Sequence, residues 1–244
     1  ASAVVSAGHT GAAVAAATLC LRTLKGIHRP GIATRLPTRD GMCLIMDVGA
    51  NIACKPMHLL QYGVMATVIS ECAYNIKNPR VGLLNIGEED AKGNEFTKEA
   101  FLLLSNSSLN FVGNVEGREI FDDKADIVLC EGFVGNVILK FAEGLAVSLL
   151  STIKDEAMKG FWTKVGLWLC KPPFMALKNK MDFAEYGGAP LLGVNGVCII
   201  CHGRSDSRAI YNAIRVALQI SKNKVNEHII SALEKADGFS ENAM

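Results

Sequence analysis

The sequence predicts a layered α/β sandwich on a mostly parallel sheet, and two observations predict it. Six short runs (Ala3–Ala7, Cys43–Val48, Val81–Ile86, Asn110–Val112, Ile127–Cys130 and Val197–Cys201) are apolar on both faces and β-branched, as strands buried in a parallel sheet are. Helical patterns alternate with them, which favours right-handed crossovers onto both faces of one sheet.

Taken in order, the elements share a layout. Ala3–Ala7 runs into Gly8-His9-Thr10-Gly11 and the helical pattern Gly11–Lys25. Cys43–Val48 ends in Asp47-Val48-Gly49-Ala50-Asn51 before Met57–Asn75, and Val81–Ile86 ends in Asn85-Ile86-Gly87 before Glu88–Ser105. Ile127–Cys130 leads into Glu131-Gly132-Phe133-Val134-Gly135-Asn136 and the long pattern Val134–Lys159. Val197–Cys201 is followed by Ser205–Lys222 and Val225–Ala236. A buried strand, a glycine turn with a polar side chain and a helix start are how open α/β folds present backbone N–H groups to an anion. A site built where strands end, handling phosphate, is the expectation.

Composition narrows the class. The 244 residues fit one α/β domain, 1–244; half are hydrophobic and the net charge is +1, so a sizeable core is expected and bulk nucleic-acid binding is not. No run reaches the roughly 18 unbroken apolar residues of a membrane span, and no secretory signal is seen. Eight cysteines, mostly in apolar runs, read as buried reduced thiols of a cytoplasmic protein. The chain opens at Ala1 directly in a strand-like run, which reads as the absence of an N-terminal portion.

Residues 159–182 stand apart as an amphipathic helical tip. Phe161, Val165, Trp168 and Leu169 fall on one helical face, with Trp162 beside them and Lys171, Lys178 and Lys180 following. Such a segment suits an anionic membrane surface, and equally a subunit interface.

Other motifs are weaker. Cys198-Ile199-Ile200-Cys201-His202 spells a haem-attachment pattern, but strand residues i and i+3 face opposite ways, about 10 Å apart along the strand. Gly87–Gly93 lacks the G-K-[ST] ending of a P-loop, although Lys92 beside Gly93 and Asn94 offers a positive charge for a phosphate. Asp47 could ligate Mg²⁺, yet a lone Asp is a weak metal signal and turn or cap duty is the better reading. No Gly-x-Gly-x-x-Gly fingerprint follows a strand, which disfavours a dehydrogenase.

In order along the chain, Ser6–Ala12, Asp47–Asn51, Asn85–Glu89 with Lys92-Gly93-Asn94, Gly113-Asn114-Val115-Glu116-Gly117, Glu131–Asn136 and Tyr186–Gly196 through His202-Gly203 resemble the bacterial acyl-ACP:phosphate acyltransferases of the PlsX type. The resemblance implies a fold like the phosphotransacetylases and isocitrate/isopropylmalate dehydrogenases. It implies transfer of a long-chain acyl group from acyl carrier protein to inorganic phosphate, the acyl phosphate then feeding a glycerol-3-phosphate acyltransferase in phospholipid synthesis. A homodimer, peripheral membrane association and no metal or organic cofactor follow from it too. Carried onto this chain, it makes Lys92 and Asn136 catalytic. Lys92 would meet phosphate, and Asn136 with the Gly135 backbone would meet the oxyanion. Gly8, Thr10, Gly11, Asp47, Gly49, Asn51, Asn114 and His202 would line the substrate cleft. His9 and Glu131 replace the family's usual Asn and Asp. Rivals are a phosphate acetyl- or butyryltransferase acting on CoA thioesters, and a catalytically inactive membrane-binding scaffold.

Overall fold

The computed structural model describes residues 1–181 and 187–241. Asp182, the end of the expected tip, and Tyr186, the start of the Tyr186–Gly196 motif, lie outside them. Eight strands form one sheet: β1 (Val4–Ser6), β2 (Gly31–Pro37), β3 (Met42–Met46), β4 (Val81–Asn85), β5 (Phe111–Glu116), β6 (Ile127–Leu129), β7 (Ala189–Leu192) and β8 (Cys198–Ile200). Their spatial order is β1-β8-β7-β2-β3-β6-β4-β5. Four of the seven contacts are parallel, and the three antiparallel ones all involve β2 or β7.

Side-chain alternation builds a core on each face of this sheet. Leu44 and Met46 of β3, Ile127 and Leu129 of β6 and Ile199 of β8 join one core. Helices α2 (Pro56–Tyr74), α3 (Glu95–Ser105), α7 (Ser207–Lys222) and α8 (Val225–Glu241) cover it. Cys43, Ile45, Val128, Cys198 and Ile200 point the other way, against α1 (Thr10–Leu21), the 3₁₀ turn Gly117–Phe121 and the start of α4 (Gly132–Ala157). α2 is buried along most of its length and ends where Asn75 turns left-handed at φ 58°.

β2 and β7 are the two strands that sequence pattern did not reveal. β7 carries Pro190 at a paired position, and β2 is interrupted by Arg35 and closed by Pro37; proline in a short run reads as a non-strand. The pattern from Glu88 to Ser105 becomes helical only at Glu95, since Gly93 at φ +93° breaks it and Asn94 caps the helix by accepting from the Thr97 N–H. The expected Asn110–Val112 run extends instead as Phe111–Glu116. Four of the eight cysteines are buried, whereas Cys20 and Cys170 are exposed, so thiol burial is less general than expected. The expected tip is two short helices, α5 (Phe161–Leu169) and α6 (Lys171–Lys180), and no residue of α5 is buried. Although α4 has no unbroken apolar run of span length, it is long and apolar enough to cross a membrane by length and composition.

β2 has a further consequence for the site. It pairs with β7 only through Gly31 and Ile32, then with β3 from Ala33 onward. Below that joint the two halves of the sheet part, and a cleft opens between them.

Candidate active site

The cleft is a cavity of about 780 Å³. One wall is Ile32 and Thr34 of β2, Val48 and Gly49 after β3, and Asn136, Leu139, Lys140 and Glu143 of α4. The other is Gly188 and Ala189 at the start of β7, Gly8 to Gly11 after β1, and Cys201 to Asp206 after β8. The reversals at β2 and β7 make β1 and β8 run opposite to β3, β4 and β6. The glycine turns therefore do not share one sheet edge; they meet across the cleft.

The first wall is organised by a buried carboxylate. Asp47 is inaccessible to solvent. Its Oδ1 accepts the N–H groups of Ile32, Gly49 and Ala50 at 3.0, 3.1 and 2.9 Å, and its Oδ2 that of Asn51 at 2.8 Å. Burial pushes its pKa above the usual carboxylate range, and those amides pull back without cancelling the shift. Asn51 donates through Nδ2 to the buried Tyr62 hydroxyl at 2.8 Å and to the Pro30 carbonyl. Asp47 and Asn51 were expected to touch substrate. The Asp47 carboxylate and the Asn51 Nδ2 are instead bonded within the protein, and for Asp47 an unpaired buried carboxylate would be far more costly.

Onto this loop α4 docks through glycine. The Gly132 N–H donates to the Asn51 carbonyl at 2.9 Å. A methyl group at Gly135 would stand 1.9 Å from the Asp47 carbonyl oxygen, and one at Gly132 2.5 Å from that of Asn51. This approach carries Asn136 against Gly49, whose φ of +132° suits glycine. The Gly135 amide donates to Glu131 at 3.0 Å, and the Phe133 and Val134 amides to the Glu131 carboxylate. The Gly135 backbone is thus spoken for and cannot serve an oxyanion, contrary to expectation. Asn136 is exposed to the cavity, and its side-chain amide has no hydrogen-bond partner among the described residues.

Of the residues named from sequence, Gly8, Thr10, Gly11, Gly49, Asn136 and His202 line the cavity, and Lys92 and Asn114 do not. β4 lies beyond β6 from the cleft, and Lys92 is in the loop that follows β4. Asn114 is buried. It accepts from Asn85 Nδ2 at 3.1 Å and donates to the Glu89 carbonyl at 2.9 Å, while Asn85 also donates to the Lys92 carbonyl at 3.1 Å. It therefore holds the Lys92 loop and does not face a ligand. Lys124 ties down the same loop by pairing with Glu88 at 3.2 Å and Glu119 at 2.9 Å. Burial alone would raise the Glu119 pKa. Hydrogen bonds with Glu88, the Glu116 amide and Lys124 outweigh it and hold the pKa at about 2. Sequence reasoning missed Arg204, Lys140 and Thr34 of the cavity; a helix-start cation after His202-Gly203 was the available signal. Among the described residues no group of three or more His, Cys, Asp or Glu could hold a metal ion.

Residues 1–228 match the model of a family described as fatty acid synthesis protein. The chain belongs to that family. It is 51% identical over 237 residues to a phosphate acyltransferase of Pelotomaculum thermopropionicum, covering 97% of this chain and 69% of that one. It is 48% identical to that of Geotalea uraniireducens, covering 96% of this chain and 67% of that one. Among solved structures it resembles a branched-chain phosphotransacylase from Enterococcus faecalis, with TM-score 0.58 and 14% identity, covering 91% of this chain and 74% of that one. It also resembles the EutD phosphotransacetylase from Staphylococcus aureus, with TM-score 0.56 and 14% identity, covering 93% of this chain but only 63% of that one. The family member thus has the phosphotransacetylase-like α/β sandwich that the sequence implied.

Two outcomes test this account of the first wall. Gly135→Ala forces α4 off the Asp47 loop and costs about 1–3 kcal/mol, read as a lower urea midpoint. Glu119 has a depressed folded-state pKa, so its stabilisation is full above the unfolded carboxylate pKa and is lost as pH falls toward about 2. Glu119→Gln is therefore less stable than the unsubstituted chain at pH 7, and the gap closes as denaturation is followed below pH 4.

Proposed function

We propose that this acyltransferase moves a long-chain acyl group from the thioester of acyl carrier protein to inorganic phosphate, in the cleft between the two halves of the sheet. The observation that carries the reading is Asn136, an unpartnered amide aimed into a cavity walled by glycine turns, in a chain about half identical to phosphate acyltransferases. A hydrogen phosphate oxygen attacks the thioester carbonyl. A C–O bond forms while the carbonyl electrons move to oxygen, which accepts from the Asn136 Nδ2–H. Collapse restores the carbonyl and breaks the C–S bond, and the departing sulfur takes the proton carried in by phosphate. Acyl phosphate and free carrier thiol result. Asn136 acts where charge develops, so its amide favours the transition state over the ground state.

Lys92 has the finer role of supplying positive potential from the β4 side of α4. Its ammonium makes no ion pair among the described residues, and the Asn85–Asn114 pair holds its loop. The CoA-thioester alternative uses the same chemistry on the same fold, and comparison of carrier and CoA substrates separates the two.

Association is proposed on exposed apolar surface. α4 shows Val137, Phe141, Leu145 and Leu149 to solvent, a face suited to a second copy of the chain. At the tip, Trp162 is 81% and Trp168 73% exposed. Phe161 packs edge-on against Trp162 at 5.4 Å between ring centroids, and Val165 and Leu169 are also exposed. Tryptophans flanked by Lys164 and Lys171 suit an interface where apolar rings enter lipid and ammonium groups meet anionic headgroups. This would keep a cytoplasmic enzyme at the membrane, where acyl phosphate leaves water and a glycerol-3-phosphate acyltransferase can take it up.

Asn136→Ala lowers kcat by about 10²–10³, as loss of one oxyanion donor does. Lys92→Ala also reduces phosphate-dependent thiol release from long-chain acyl carrier protein. Near-normal turnover in either variant removes that residue from the mechanism. Replacing Trp162 and Trp168 together by Asp weakens cosedimentation with anionic liposomes, and unchanged binding assigns the tip to protein contacts instead.

A further inference from the structure

A phosphate in the cleft needs a cation there, and Lys92 is not in the cavity. The cavity has four cationic or protonatable side chains of its own: His9, Lys140, His202 and Arg204. Their partners sort them. Lys140 is paired with Glu143 at 2.8 Å, which neutralises both within the first wall. The remaining acid, Asp206, caps α7 by accepting the Ala209 N–H at 2.9 Å. Arg204 makes no ion pair among the described residues. It is the uncompensated cation of the cleft.

Its backbone is held for that purpose. His202 Nδ1 accepts the Arg204 N–H at 3.1 Å, and the His202 carbonyl accepts the Ser205 N–H at 2.9 Å, so residues 202–205 form a tight turn. The first hydrogen bond also sets the imidazole tautomer. With Nδ1 accepting, the ring proton is on Nε2, which becomes a donor. His9 is arranged alike, its Nδ1 accepting the Ala12 N–H at 3.3 Å. The two histidines follow neighbouring parallel strands, since Ser6 of β1 pairs with Ile200 of β8. The Ser6 carbonyl accepts the Cys201 N–H at 2.7 Å and knits the two loops together. His9 uses its side chain on Ala12 and its carbonyl on the Ala13 N–H, and the Thr10 and Gly11 amides of α1 beside it have no acceptor among the described residues. Gly8 and Gly203 bring no side chain, and the space where a Gly203 methyl would stand is open to 3.9 Å.

We infer that Arg204, with the Nε2–H groups of His202 and His9, seats the phosphate nucleophile on the β1–β8 wall of the cleft, across from Asn136. A planar guanidinium suits two phosphate oxygens at once. Histidine N–H groups and the open α1 amides can take the others without a second fixed positive charge. The arrangement divides the reaction between the walls: one holds the attacking anion, the other the oxygen on which charge develops. The assignment rests on the proposed acyl transfer for its meaning, but its anion chemistry stands independently. A phosphodiester in the carrier's prosthetic arm shares that chemistry, and the test separates it from free phosphate.

Binding of inorganic phosphate by calorimetry, and kinetics with acyl carrier protein, are measured on the full chain and on Arg204→Gln, Arg204→Lys and His202→Gln. Lys98→Gln, on α3 away from the cleft, is the charge control. Arg204→Gln is expected to weaken phosphate binding at least tenfold and to raise the phosphate KM with the thioester KM unchanged. Arg204→Lys should recover part of the loss, His202→Gln should show a smaller one, and Lys98→Gln none. Phosphate affinity in Arg204→Gln within twofold of the unsubstituted chain would overturn the assignment, as would a rise confined to the thioester KM, which would give Arg204 to the carrier arm. Arg204-dependent phosphate binding without phosphate-dependent thiol release would uphold the anion seat and remove the acyl-transfer reading.

Discussion

The candidate site depends on the contact between one buried carboxylate and one glycine-paved helix start. Asp47 gathers four backbone N–H groups from β2 and its own turn, so the loop after β3 has a single shape. Gly132 and Gly135 let α4 settle onto that shape closely enough that a methyl group at either would collide with backbone oxygen. Asn136 is consequently presented by a loop and helix fixed to each other and to the sheet. Catalysis by a single amide needs such rigidity, because a donor that must reorganise as charge develops gives back much of what it contributes.

The same contact decides what the start of α4 does not do. Its first amides are consumed by Asn51 and by the Glu131 side chain and carbonyl, so α4 does not offer the bare N-terminus that binds anions in many α/β folds. The open amides are on α1, across the cleft, in company with Arg204 and two histidines oriented as donors. Division of labour between walls follows from topology: β2 and β7 reverse the chain, and the β1 and β8 turns confront the β3 and β6 turns. In an all-parallel sheet these loops would lie along one edge, side by side, and not face one another across a cleft.

Much of this was legible in sequence. The strands β3, β4, β6 and β8, and the half-exposed edge strand β1, announce themselves by short apolar runs, and the glycine turns after them by composition. The turn motifs that carry Gly8, Thr10, Gly11, Gly49, Asn136 and His202 are visible in sequence, and these residues line one cavity. What escaped were β2 and β7, whose prolines and polar residues hide a strand pattern that tertiary pairing overrides. With them went the knowledge that the turns face one another, and hence that Arg204 lines the cavity while Lys92 does not. Asp47, Asn51 and Asn114 illustrate the other limit. Polar residues in glycine turns suit ligands and protein partners equally well, and only the hydrogen bonds these three make within the protein tell the two apart.

In the proposed reaction phosphate, not water, receives the acyl group in this cleft. The decisive measurement is to incubate the chain with long-chain acyl carrier protein and phosphate carrying ¹⁸O in all its oxygens, and to weigh the product. Transfer to phosphate gives acyl phosphate that retains the full label, because phosphate oxygen attacks the carbonyl carbon and no P–O bond breaks. Unlabelled fatty acid, released at the same rate with or without phosphate, would rule it out.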